Sequence, residues 1–191
     1  MLVFVPISYL TLGLTNFANM VANKAFIYKA VPNGWPVPGH DLAIETTEFD
    51  LDAPPPKGGV TTKNFYAAFD PSQRGRMRDP SIWSYSPAMA VGSPVLSVSV
   101  IGQVLKSDNA RFPVGALIML PYRTESYSAI PAAALESAEV LRPPPGLPLT
   151  AYLGALGMTG LTAYGSLMEI GQPKKGETIW VSGAAGAVGQ M

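Results

Sequence analysis

Three glycines, Gly183, Gly186 and Gly189, stand at regular intervals with only alanines and one valine between them, directly after the run Glu177-Thr-Ile-Trp-Val-Ser182. Glycines so placed let backbone N–H groups come close to a bound pyrophosphate, and a helix starting behind them turns its positive end to the same anion. The preceding run reads as a short buried strand, so the segment has the layout of the first half of a dinucleotide site. The spacing differs from the commoner G-x-G-x-x-G, and the same composition also suits a strand packed closely on a helix. The residue that would read the ribose 2′ position in such a site would follow Met191.

A second constellation is Gly157-Met-Thr-Gly-Leu-Thr-Ala-Tyr164, with two glycines and two threonines at the start of a helix. Thr159 is the expected N-cap and Tyr164 a core residue; alternatively, the small side chains open a floor for a planar ring. Other candidates have plainer readings. His40, beside Asp41 in a Pro/Gly-rich stretch, is the only histidine, and no G-x-S-x-G turn exists to make it a hydrolase base. Arg74, Arg76 and Arg78, following Asp70-Pro71, suit an anion or a solvated loop edge. Glu125 and Tyr127, after a strand end, suit acid/base work or a buried ring. With no cysteine and one histidine, a zinc site would need carboxylates almost alone, which zinc rarely accepts.

The elements that must position these residues follow from the pattern of apolar runs. From Asn23 to about Pro131, short apolar runs are separated by Pro, Gly, Asn and Asp, and no helical period persists. Strands are expected over Lys24 to Lys29, Val60 to Phe69, Leu96 through Lys106 and Val114 to Leu120. The alternation Leu96-Ser-Val-Ser-Val100 should put apolar side chains on one face. Four to six short strands imply a small barrel or sandwich. After Arg142-Pro-Pro-Pro-Gly-Leu-Pro148, a stiff connection, the period turns helical. A short helix is expected from Thr150 to Leu156, and a longer one carrying Leu161, Tyr164 and Met168, stopped at Gly171 before Pro173.

The whole chain of 191 residues is 48% hydrophobic, enough for a core, and its thirteen basic residues match thirteen acidic ones without any basic run. Nucleic acid is therefore not an expected partner. Met1 to Leu14 is apolar but too short to span a bilayer, and it lacks the basic flank and cleavage site of a signal peptide. Residues 1–22 read as an apolar extension, with Met20 a plausible alternative start and no membrane partner expected.

Taken in order, these segments resemble the zinc-independent medium-chain dehydrogenase/reductases, in the branch of prostaglandin reductases and plant double-bond (2-alkenal) reductases. The resemblance rests on Lys63-Asn-Phe-Tyr66 with Asp70-Pro71 and Arg76-Met77, on Leu153 to Tyr164, and on Gly183 to Gly189. It implies a mixed β and α/β fold: a GroES-like N-terminal β-barrel over residues 23–142, then linking helices and the first strand and glycine turn of a Rossmann domain over 143–191, truncated there. It further implies NADP(H) as cofactor, a cytoplasmic enzyme, a homodimer if full-length, and an enal or enone substrate reduced at its carbon–carbon double bond. The rival expectation is a catalytically inactive barrel fragment acting at most as a binding module. Carried over by position, Met158 and Thr162 fall near the nicotinamide, and Gly183, Ala184, Gly186 and Gly189 fall under the pyrophosphate. No catalytic residue is assigned. Three positions depart from the family pattern: Ser72 replaces an aromatic residue, Thr124 a tryptophan and Ala116 an acid.

Overall fold

The computed structural model of the protein describes residues 19–191. Of the expected apolar extension, residues 1–18 lie outside the described residues, while its end is already part of a strand. β1 (Met20–Tyr28) pairs antiparallel with β2 (Leu42–Asp50) along its whole length, from Met20 opposite Asp50 to Tyr28 opposite Leu42. A second, five-stranded antiparallel sheet is built from β3 (Val60–Ala67), β5 (Leu96–Ser107), β6 (Leu117–Arg123), β7 (Tyr127–Ile130) and β8 (Glu139–Leu141), in the order β7-β3-β5-β6-β8. Between β3 and β5 in the chain, the short β4 (Ser93–Pro94) returns to the first sheet and covers the other edge of β1.

The two sheets close into a partial barrel at one corner, where main-chain groups at the edge of one sheet find partners on the other. Phe26 N–H donates to Thr124 O at 2.9 Å, Ser126 N–H to Lys24 O at 2.9 Å, and Thr124 N–H to Val95 O at 2.9 Å. Bonds of this kind satisfy edge groups that an open sheet would leave exposed to other chains. Inside, Val60, Val104, Phe112, Ile118, Leu120, Ile130 and Leu135 form one buried cluster, and Tyr28, Met77, Met89 and Val95 a smaller one under the loop that carries α1 (Ser72–Arg76). A fully buried side chain of this size contributes about 1.5–3 kcal/mol.

The alternation expected along Leu96 to Val100 is broken. Ser97 is buried and Leu96 only half-buried, because β5 slips register against β6 between Ser97 and Val100. The extra residue turns the chain by one position, and the Ser97 hydroxyl is satisfied by the carbonyls of Ala68 (2.7 Å) and Ser99 (2.8 Å).

Beyond β8, a 3₁₀ turn (Leu149–Leu153) stands where a helix over Thr150 to Leu156 was expected. α2 (Met158–Tyr164) runs on as a π-helical turn (Gly165–Gly171) and stops at Gln172, which is left-handed at φ 46°. Where the pitch changes, the Ser166 hydroxyl donates to the carbonyls of Thr162 (2.7 Å) and Ala163 (3.1 Å). Tyr164, expected to be core, is more than half exposed, as are Leu161 and Met168 at the same helical spacing. Glu177 to Ser182, expected to be a buried strand, has no ladder and no regular structure up to Val181, Ser182 already lies in a turn, and Trp180 is 85% exposed. A strand is stable only against a neighbour, and none of the described strands pairs with this segment.

Candidate functional site

The Gly157 to Tyr164 motif is shaped by two close backbone approaches. A Cβ on Gly157 would stand 2.4 Å from Tyr152 O, and one on Gly160 would stand 1.8 Å from Ala155 O. Both glycines are therefore required for the 3₁₀ turn to fold back onto the start of α2, a packing constraint that spacing alone does not reveal. The same approach moves the N-cap: it is Gly157, without a side-chain cap, and Thr159, expected in that role, lies inside the helix. Met158 and Thr162 sit one turn apart, joined by a hydrogen bond from Thr162 Oγ1 to Met158 O at 2.7 Å, and both are exposed.

The glycine turn is also compact. Gly186 N–H donates to Gly183 O at 2.8 Å, and a Cβ on Gly189 would meet Gly183 O at 2.1 Å and Ala184 Cα at 2.8 Å. Gly183 itself has open space around it. From Gly183 to Ala187 the exposed backbone carries nothing larger than a methyl group, which suits close approach of a diphosphate; the residues behind it form turns rather than a helix. The structure does not bring this turn to Met158 and Thr162. Met191, at its end, shares a cleft with Gly160, Ala163, Tyr164 and Leu167, which lie on the opposite side of α2 by helical geometry.

The other candidates resolve into different roles. His40 Nδ1 lies 2.7 Å from Asp41 Oδ1 on the surface, while the Asp41 carboxylate accepts from Val37 N–H at 2.8 Å. That backbone bond, then the contact with His40, holds the Asp41 carboxyl below the usual carboxylate range. The three arginines clamp loops. Arg74 donates to Gly34 O (2.6 Å), Arg76 to Pro87 O (3.1 Å), and Arg78 to Ile82 O (3.0 Å) and Gly75 O (2.9 Å). One result is an open apolar cleft of about 370 Å³ walled by Trp35, Phe69, Pro71 and Met77, with Asp70 at its edge. Trp35 is 90% exposed there, and nothing in its local sequence marked it.

Glu125 and Tyr127 part company. The Tyr127 ring stacks on Phe49 at 5.7 Å between centroids. Glu125 instead lines a cleft of about 300 Å³ with Phe26, Phe65, Tyr66 and Thr124. Burial pushes its carboxyl up, against the hydrogen bond that Ser128 Oγ donates to Oε1 at 2.8 Å. Asn64 Nδ2 ties the floor together by donating to Glu125 O and to Ser128 Oγ, both at 2.9 Å.

A family described as the N-terminal domain of oxidoreductase matches residues 24–138 of this barrel. The chain is also 42% identical over 172 residues to the NADP-dependent oxidoreductase RED1 of Cochliobolus heterostrophus, covering 90% of this chain and 49% of that one. The chain belongs to the zinc-independent medium-chain dehydrogenase/reductases. Within that family it is 38% identical over 175 residues to the NADP(+)-dependent 2-alkenal reductase of Nicotiana tabacum, covering 91% of this chain and 49% of the relative. CurA of Vibrio vulnificus, solved in complex with NADPH, superposes with a TM-score of 0.71 at 29% identity, over 88% of this chain and 47% of that one. The chain thus spans about half the length of the curated relatives it matches. The mixed fold expected for the family is the one observed.

Proposed function

We propose that the natural polypeptide carrying these residues is an NADPH-dependent reductase of the carbon–carbon double bond of α,β-unsaturated aldehydes or ketones. The observation that carries this reading is the likeness to the tobacco 2-alkenal reductase across 91% of the chain. Bound NADPH would supply hydride to the β-carbon, which leaves an enolate to be protonated at the α-carbon. The part assigned to this chain is binding and exclusion of water. Met158 and Thr162 are proposed to flank the nicotinamide, with the Gly183, Ala184, Gly186 and Gly189 backbone under the pyrophosphate. The Trp35–Phe69 cleft offers an apolar seat for the body of an enal. A composition without cysteine and with one histidine speaks for a reductase that works without zinc polarising the carbonyl oxygen.

The test is product analysis with the natural polypeptide, NADPH and a 2-alkenal. A saturated aldehyde supports the reading; an allylic alcohol, or turnover that needs added zinc, overturns it.

A further inference from the structure

Asn33 is the only asparagine of the chain that a glycine follows. The pair sits in the loop between β1 and β2, where Pro32 and Pro36 bracket Asn33, Gly34 and Trp35. Within residues 31–36 no main-chain N–H finds a hydrogen-bond partner among the described residues, and the Asn33 side chain finds none there either. The one hydrogen bond that ties this stretch to the rest runs from Arg74 Nη2 to Gly34 O at 2.6 Å, and it leaves the Gly34 N–H untouched. Asn33 and Gly34 are both exposed; Gly34 stands at φ 88°, with no atom within 4 Å of the place a Cβ would take. Other asparagines are held by their side chains. Asn23 Nδ2 donates to Tyr127 O at 3.0 Å, Asn64 Nδ2 to Glu125 O and Ser128 Oγ, and Asn109 Nδ2 to Gly58 O at 2.9 Å.

We propose that Asn33 is a site of spontaneous deamidation, in which Gly34 N attacks the side-chain amide carbon of Asn33. The N–Cγ bond forms as the bond from Cγ to the side-chain nitrogen breaks, and the Gly34 amide proton passes through solvent to the departing nitrogen, which leaves as ammonia. Water then opens the succinimide at either carbonyl to give aspartate or isoaspartate, and no oxidant or reductant takes part. A peptide nitrogen is a poor nucleophile because its lone pair is shared with the carbonyl, so the reaction needs an N–H free to lose its proton and a chain free to bend back on it. An N–H in a strand ladder, or a side-chain amide fixed by its own hydrogen bonds, meets neither need; this pair meets both. Glycine matters as well, since a Cβ on the attacking residue would crowd the five-membered ring. Either product places a negative charge two residues from Trp35, and isoaspartate adds a main-chain carbon just before the residue whose carbonyl Arg74 holds. The modification therefore changes the wall of the Trp35–Phe69 cleft. The site itself does not depend on the reductase reading and is tested without NADPH.

The experiment is ageing of the natural polypeptide at mildly alkaline pH, folded and in urea, followed by intact mass, peptide mapping and enzymatic methylation of isoaspartyl carboxylates. In the folded protein a gain of about one dalton should appear at Asn33 before any other asparagine, with isoaspartate at the same place and a rate that rises in proportion to hydroxide. Folded and unfolded chains should convert Asn33 at similar rates, while Asn64 should stay unmodified as long as the protein is folded. Asn33→Gln, which would have to close a six-membered ring, should remove the gain while its melting curve matches the parent's. Arrest of Asn33 in the folded protein while the unfolded chain converts would overturn the proposal. So would first modification at another asparagine, or an unchanged gain in Asn33→Gln.

Discussion

Gly102 on β5 lies opposite Asn64 on β3 so closely that a Cβ on the glycine would stand 2.6 Å from Asn64 Oδ1 and 3.0 Å from Lys63 O. The glycine makes room for a polar side chain inside the sheet. With that room, Asn64 Oδ1 accepts from Thr62 Oγ1 at 2.9 Å while Nδ2 holds the Glu125 carbonyl and the Ser128 hydroxyl. The register shift between Asn64 and Tyr66 marks the same place on the backbone. A methyl group at residue 102 would therefore disturb both a strand pair and the support of Glu125.

Gly102→Ala should destabilise the protein by about 1–3 kcal/mol, the usual cost of forcing an extra carbon into a packed site. Urea unfolding should show a lower midpoint with an unchanged slope. An unchanged midpoint would mean that Asn64 can move aside, and that the network is not rigid.

The Glu125 carboxyl gives a pH dependence with a definite sign. Burial raises its folded value above the unfolded one, so the folded state holds the proton more tightly. Its contribution to stability is complete below the unfolded value and is lost as pH rises through the folded one. Glu125→Gln keeps an acceptor for Ser128 but removes this loss. Relative to the parent, the variant should gain stability between acid and neutral pH, read as the difference in melting temperature at each pH. A gain at acid pH alone would reverse the assignment.

The barrel was legible where local pattern and burial agree. Lys24 to Lys29, Val60 to Phe69 and Leu96 to Lys106 each meet a strand, the first two overrunning its end at Tyr28 and Ala67, since short β-rich runs between Pro and Gly have few other ways to satisfy their backbones. The failures share a different cause, namely that contacts outside the local pattern decide them. Ser97 is buried because of a register slip, and Gly157 displaces Thr159 from the N-cap because Tyr152 O comes within reach of it. Glu177 to Ser182 carries strand residues without a strand beside it. The glycines of the candidate site could be found by spacing alone, whereas Trp35 joins the Phe69 cleft through a loop that Arg74 holds from a distance of forty residues in the chain, at Gly34 O.

A deletion pair separates the extension from the sheet. Asn19 O accepts from Leu51 N–H at 3.0 Å, and Met20, Val21 and Ala22 pair with Asp50, Phe49 and Glu48. Removing residues 19–22 in addition to residues 1–18 should cost about 1–3 kcal/mol more than removing 1–18 alone, given about 1 kcal/mol for each net hydrogen bond lost. Equal melting temperatures for the two deletions would show that this end of β1 adds nothing.

The last prediction uses the three glycines of the turn, which differ in what surrounds them. Gly189 has no room for a side chain, since a Cβ there would stand 2.1 Å from Gly183 O, so Gly189→Ala should open the turn itself. Gly183 has space on every side, and any loss of NADPH affinity in Gly183→Ala would come from crowding of the cofactor. Gly186 is intermediate, with Gly183 O at 3.1 Å from the place its Cβ would take. Gly186→Asp adds a carboxylate where the proposed pyrophosphate must lie against bare backbone, and like charges at that range are strongly unfavourable. In the natural polypeptide, NADPH affinity should fall by about a hundredfold or more, some 2.7 kcal/mol. Gly186→Asn, nearly equal in size and uncharged, should lose much less if repulsion dominates. Fluorescence titration of NADPH measures all four variants. If Gly186→Asp binds NADPH as the parent does, the turn is a packing feature and the cofactor's phosphates are held elsewhere.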